Sequence, residues 1–228
     1  MLKDELLKID DSTINKGVIT VGITTSLSKK IKIQVKKNDI ILYYDLTTPT
    51  IQIPLQFGSG SYVISLFQNI RGKSYEKKGT LHITLSKDAT ENYLLESNQY
   101  VECYHVKNLA ASLTKNTDND YDKYIKIKKY IKSNYHYNYL RAFTIAKGTL
   151  PDIQYCLKHK SGICQDLSAL AAALLRNNNI PTRFVIGYAD KKYHAWLEVR
   201  VKGKRILYDP TADCQNKKIK NYVEERWY

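Results

Sequence analysis

The sequence predicts an α+β protein in which an antiparallel β-sandwich precedes a mixed helix-and-sheet domain. Between residues 17 and 87, short segments alternate apolar and polar side chains and are cut by turn residues, the pattern of half-buried strands. From about residue 118 the spacing turns helical. One strongly apolar helical segment, "LSALAAALL" (167–175), then leads into three more strand-like stretches, as in α+β layering.

The strand segments come in order. "GVITVGITT" and "KIKIQVKK" alternate cleanly, and "DIILYYDL", "TIQIPLQF", "SYVISLFQNI" and "GTLHITLS" follow. Turns are expected at Lys37–Asn38–Asp39, Pro49, Gly58–Ser59–Gly60 and Arg71–Gly72–Lys73. This rhythm predicts a sandwich. It carries no nucleophile, base or metal set, and His82 sits inside a strand as a structural residue. Residues 91–114 read as an extended crossing and a short helix. A boundary between 88 and 118 divides the chain into a sandwich at 1–105, of immunoglobulin-like type, and a second domain at 106–228. Asp118 or Asp120 should cap the next helix, where Tyr121, Tyr124, Ile125, Ile127 or Lys128, and Ile131 fall at helical spacing. Leu167, Leu170, Ala171, Leu174 and Leu175 form one apolar stripe, stopped by three asparagines and Pro181. "TRFVIGYAD", "HAWLEVRV" and "RILYDPTA" complete the second domain as antiparallel strands.

Composition narrows the function classes. The 228 residues are 43% hydrophobic and 25% charged, ordinary for a globular protein. The longest apolar run is broken by Ser168 and too short to span a bilayer, and "MLKDELLKIDDSTINKG" has no apolar signal core. A soluble chain without a transmembrane segment is expected, its compartment unassigned and an extracellular or cell-surface location left open. The 36 basic and 22 acidic residues give a net charge of +14. The lysines are spread along the whole chain, without an arginine-rich helix or nucleic-acid motif. No specific nucleic acid is expected, and an anionic cell-surface polymer is the polyanion partner to consider. The four cysteines, Cys103, Cys156, Cys164 and Cys214, include no CxxC pair and no zinc-ligand spacing. No metal and no cofactor are expected.

Cys164 stands at a helix start, His194 at a strand start and Asp209 near the end of the next strand. On "HAWLEVRV", Ala195, Leu197, Val199 and Val201 share one face, and His194, Trp196 and Glu198 the other. A two-residue turn at Lys202–Gly203 pairs Val201 with Lys204 and extrapolates to Trp196 opposite Asp209. Asp209 is then a diagonal neighbour of His194, although a one-residue slip would reverse its face. A helix N-terminus and an imidazolium both favour a thiolate, and a carboxylate fixes the imidazole tautomer. On spacing alone, a nucleophile and a buried structural cysteine are equally good readings of Cys164.

The blocks "SGICQDLSALAAALLRNNNIPTRFVIGYA", "YHAWLEVRV" and "LYDPTAD" resemble the transglutaminase-like superfamily across residues 120–213, and "LPDIQYCLKHKSGIC" resembles its bacterial branch. The resemblance implies a transglutaminase-like (papain-like) α+β catalytic domain with Cys164 as nucleophile, His194 as base and Asp209 as acid. It also implies an oxyanion-side aromatic residue at Tyr137, with Tyr135 second. Gln165, where many relatives carry an apolar or aromatic residue, is a candidate for shaping the acyl pocket, and Trp196 for walling the cleft. Asp166 belongs to the motif as a support of the helix start. Cys103, Cys156, Cys214, His105, His136 and His159 read as structural or surface residues.

The function implied is acyl transfer through a thioester on a peptide or protein substrate. Hydrolysis, as in a cysteine protease or peptide amidase, is preferred. Amine-accepting cross-linking is the runner-up, and a catalytically silent binding module of the same fold is the third reading. Animal-type cross-linkers carry additional sandwiches and calcium sites after this region, which the chain as given does not.

Overall fold

The computed structural model describes residues 1–4, 6–24, 29–89 and 97–228. The chain forms two compact units, Met1–Asn92 and Tyr93–Tyr228. The extended crossing expected over residues 91–96 lies outside the described residues.

In the first unit, eight strands form two four-stranded antiparallel sheets. They are β1 (Leu2–Lys3), β2 (Leu7–Asp10), β3 (Val18–Ile23), β4 (Ile31–Lys37), β5 (Ile40–Leu46), β6 (Thr50–Pro54), β7 (Gly60–Arg71) and β8 (Ser74–Leu85). The strand orders are β1-β2-β3-β6 and β5-β4-β7-β8. Alternation decides which side is buried. Ile31, Ile33 and Val35 of β4 are at most 5% exposed while Lys32 and Gln34 are half-buried, the half-solvated face expected of antiparallel sheets. Asn38 takes the left-handed conformation in the β4–β5 turn and Gly72 does so between β7 and β8. His82 sits on the exposed side of β8. Two strands precede the first one expected, because β1 and β2 are too short and too charged to show a period.

The second unit is built around one helix. A 3₁₀ turn (Cys103–Val106) leads into α1 (Lys107–Leu113) and α2 (Asp120–Asn134). The cap of α2 is Asn119, whose side chain accepts from the Asp122 N–H, instead of Asp118 or Asp120. Asp120 and Asp122 fall in the first turn, where their charge suits the helix dipole. Tyr124, Ile127 and Ile131 are the face of α2 that is buried, whereas Tyr121 is exposed.

Next come β9 (His136–Tyr137), α3 (Tyr139–Thr144), α4 (Ile153–His159), β10 (Ser161–Gly162) and α5 (Cys164–Arg176). Every residue of α5 from Asp166 to Arg176 is buried, as befits a helix surrounded by other elements. Strands β11 (Thr182–Ala189), β12 (Lys192–Val201) and β13 (Lys204–Tyr208), helix α6 (Pro210–Cys214) and strand β14 (Tyr222–Trp227) complete the chain. The sheet order is β13-β12-β11-β14, antiparallel throughout.

The β12–β13 register is Val201↔Lys204 through Leu197↔Tyr208, the pairing that a two-residue turn at Lys202–Gly203 dictates. The ladder stops one residue before Asp209, which leaves the sheet as the N-cap of α6. Strand β14 had no sequence signal: "YVEERW" is polar and interrupted by a register shift opposite Ile186/Gly187.

Gly187 is fixed by close approach. A Cβ there would lie 2.1 Å from the Val223 carbonyl oxygen, 2.9 Å from the Trp196 ring and 3.0 Å from the Glu225 nitrogen. Gly187→Ala must therefore push β14 away from β11. It is expected to cost about 1–3 kcal/mol, read as a lowered midpoint in denaturant unfolding; an unchanged midpoint would contradict this packing.

Candidate active site

Several elements converge on one cleft of about 470 Å³. It is lined by Cys164, His194, Tyr137, Tyr139 and Ala142, and along its rim by Asp190, Lys192, Tyr193, Gln215 and the segment Lys217–Ile219.

Cys164 is the first residue of α5 and is half-buried. Its position follows from Asp166, which is wholly buried. The Asp166 Oδ2 accepts from the Ile163 N–H at 3.1 Å and from Arg141 Nε at 2.7 Å, and its Oδ1 accepts from the Asp152 N–H at 2.9 Å. Ile163 offers no side-chain cap of its own, so Asp166 caps α5 from its first turn. The carboxylate thereby ties the helix start to α3 and to the segment entering α4. This is the supporting role expected of Asp166. Arg141 was not anticipated, yet a buried carboxylate calls for a cation or several N–H donors.

Gly162, two residues before the cysteine, leaves space for its neighbours. A Cβ there would lie 2.5 Å from Cys156 Sγ and 2.9 Å from Asp166 Cβ. Cys156 is thus a packing residue beneath the Cys164 segment, and burial pushes its thiol well above the ordinary range. The Gly162 backbone also pairs in parallel with Tyr137, and the Asn138 N–H donates to the Gly162 carbonyl at 2.9 Å. This short ladder brings the Tyr137 side chain to the cleft. Desolvation, with Cys164 next in effect, raises the Tyr137 phenol to about 12, so its hydroxyl stays a donor at neutral pH. Tyr135 is buried elsewhere, its hydroxyl 3.4 Å from that of Tyr130.

His194 lies on β12 opposite Gly187. Its Nε2 is 2.8 Å from Asp209 Oδ2, and Cys164 lines the same cleft as the imidazole. With Nε2 committed to the carboxylate, Nδ1 is the nitrogen left for the thiol. Burial pulls the imidazole towards the neutral form, but the hydrogen bonds and charges of Asp209 and Cys164 outweigh it and raise the group to about 9.

Asp209 serves two elements at once. Its Oδ1 accepts from the Ala212 N–H at 2.9 Å as the cap of α6, and its Oδ2 accepts from His194 and from the Tyr222 hydroxyl at 2.9 Å. Tyr222 comes from β14, so no sequence pattern pointed to it.

The remaining expected residues fall outside the cleft lining. Trp196 is 2% exposed and packs behind the imidazole, its ring 6.5 Å from that of His194 and 5.1 Å from that of Tyr222. Gln165 turns away and donates to the Thr149 carbonyl at 2.9 Å. Cys103 and Cys214 are half-buried, and desolvation raises both thiols, that of Cys214 to about 11. His105 is engaged with Glu102 and Gln154, and His159 lies against Tyr155. Among the described residues no group of three or more acidic, histidine or cysteine side chains could hold a metal ion, and no helix is long and apolar enough to cross a membrane.

Residues 107–210 match the model of the transglutaminase-like superfamily core. That segment is transglutaminase-like. A Bacillus subtilis (strain 168) protein, uncharacterized protein YebA, is similar at 28% identity over 131 residues. The match takes in 49% of this chain and 18% of that protein, so the chain spans less than a fifth of that relative. Among solved structures, a candidate cysteine protease from Cytophaga hutchinsonii is similar with a TM-score of 0.46 and 17% identity, covering 92% of this chain and 68% of the other. Red sea bream transglutaminase is similar with a TM-score of 0.34 and 13% identity, over 89% of this chain and 49% of that one. All residues brought together by Asp209 and the thiol except Tyr222 lie within the matched transglutaminase-like segment or next to it.

Proposed function

We propose that the protein is a cysteine-dependent acyl-transfer enzyme that hydrolyses an amide of a peptide or protein. The observation that carries this reading is the gathering of Cys164, His194 and Asp209 at one cleft, with Cys164 and His194 in its lining and Nε2 2.8 Å from the carboxylate. In the proposed reaction the Cys164 thiolate attacks the amide carbonyl carbon. The resulting oxyanion takes hydrogen bonds from the Cys164 backbone N–H, which has no partner within its helix, and from the Tyr137 hydroxyl. The carbon–nitrogen bond breaks as protonated His194 gives its proton to the leaving amine, leaving a thioester. Neutral His194 then takes a proton from water, hydroxide adds to the thioester carbonyl, and the carbon–sulfur bond breaks to release acid and thiolate.

Asp209 keeps the imidazole oriented through both half-reactions, and Tyr222 helps hold that carboxylate. An amine in place of water gives the transferase alternative, with the same residues in the same roles.

The test is a mixed peptide library incubated with the full chain, with and without a primary amine, and read by mass. Hydrolysis adds water to the acyl fragment, whereas transfer adds the amine. If neither product forms while the protein is folded, the acyl-transfer reading is wrong.

A further inference from the structure

The cleft lining combines two chemistries. Near α3 are tyrosine rings: Tyr137 and Tyr139 stand edge to face with centroids 5.0 Å apart, and Tyr139 is 66% exposed. Along the rim the lining carries three cations, Lys192, Lys217 and Lys218. All three are exposed, and none has an ion-pair partner among the described residues. The one acidic residue on that rim is Asp190, and it is occupied. Its carboxylate accepts from the Asn221 N–H at 3.1 Å and the Lys220 N–H at 3.4 Å, while its own N–H donates to the Asn221 carbonyl at 2.9 Å. Asp190 thus fixes Lys220 and Asn221, next to Lys217 and Lys218, and its single negative charge against three lysines leaves this rim with an excess of positive charge.

We propose that the Lys192–Lys217–Lys218 rim selects acyl substrates carrying a carboxylate close to the scissile amide, that is, acidic peptides. This rests on the acyl-transfer reading of the same cleft and deepens it. Like-signed charges lining one side of a cleft concentrate oppositely charged ligands and speed their arrival. Each exposed pair contributes modestly and is weakened by salt, so the selectivity should appear mainly in KM and fade at high ionic strength.

The experiment needs no identified substrate. The rate of alkylation of Cys164 in the full chain is measured with iodoacetate, which is anionic, and with iodoacetamide, which is neutral, in the native protein and in the double variant Lys217→Gln/Lys218→Gln. Both substitutions are at exposed positions away from the thiol–imidazole–carboxylate line. The double variant is expected to lower the iodoacetate-to-iodoacetamide rate ratio about three- to tenfold, with the iodoacetamide rate unchanged. High salt should shrink the native ratio towards that of the variant. In parallel, matched peptides differing only by Glu or Gln beside the scissile amide should show a KM advantage for Glu that the variant loses while kcat stays the same. If Cys164 reacts with both reagents but the ratio is the same in both proteins, the lysine rim does not select anions and this inference falls while the acyl-transfer reading stands. If Cys164 reacts with neither, the reactive-cysteine reading falls and takes this inference with it.

Discussion

Replacing Cys164 with alanine is expected to reduce amide turnover on the order of 10⁵-fold or more, as for other enzymes that lose a covalent nucleophile. The reason is chemical: no other described side chain in the cleft can form the thioester. The other thiols are poor substitutes. Burial raises Cys103, Cys156 and Cys214, and none of the three lines the cleft. Limiting iodoacetamide followed by peptide mapping should accordingly label Cys164 first in the native protein and leave the alanine variant almost unmodified. Preferential labelling of any of the other three, or substantial turnover by the alanine variant, would remove Cys164 from the role proposed for it.

Asp209→Asn is the second large effect, and its value lies in separating two jobs of one side chain. As a cap, asparagine serves about as well as aspartate, and its Oδ1 can still accept from the Ala212 N–H. Facing His194, however, an amide NH₂ would donate to Nε2 and drive the ring proton to Nδ1, so the imidazolium–thiolate pair is lost. Turnover should drop about 10⁴-fold in a protein that remains folded. The pH dependence provides a second readout. His194 is raised from 6.5 to about 9, so the stability it contributes is fully present below pH 6.5 and lost as pH rises through about 9. The native protein should therefore become easier to denature across that window. The variant, lacking the carboxylate that is the first of the raising influences, should show this loss at lower pH and smaller in size. A variant with native turnover, or one whose denaturation midpoint follows the native pH curve, would mean that Asp209 only caps α6.

Much of this arrangement could be read from local patterns. The apolar stripe of α5, the alternation of β12 and the two-residue turn at Lys202–Gly203 are short-range features; they put His194 and Asp209 in reach of one another and Cys164 at a helix start, while the resemblance to a known family joined the three. What stayed illegible depends on contacts distant in sequence. Tyr222 reaches Asp209 from a strand whose polar, interrupted pattern gives no period. Arg141 meets Asp166 from a six-residue helix 25 positions earlier. Trp196 and Gln165 show the opposite difficulty. Both adjoin motif residues, yet each side chain points away from the cleft, Trp196 into the core and Gln165 onto the Thr149 carbonyl. Adjacency to a functional residue along the chain says little about which way a side chain turns on a helix start or on a strand buried on both faces.

The carboxylate of Asp166 has a consequence for thermal motion. Because one buried group holds the N–H of Ile163, the N–H of Asp152 and the guanidinium of Arg141, these three segments cannot drift independently: displacing any of them breaks a bond to a group with no water to replace it. The Cys164 end of the cleft should fluctuate as a single piece. The rim is tied to the same body: the Lys217 N–H donates to the Ala212 carbonyl, and Gln215 donates to the Tyr139 hydroxyl beside α3. An incoming chain should therefore meet a floor whose reacting atoms keep their places as it enters.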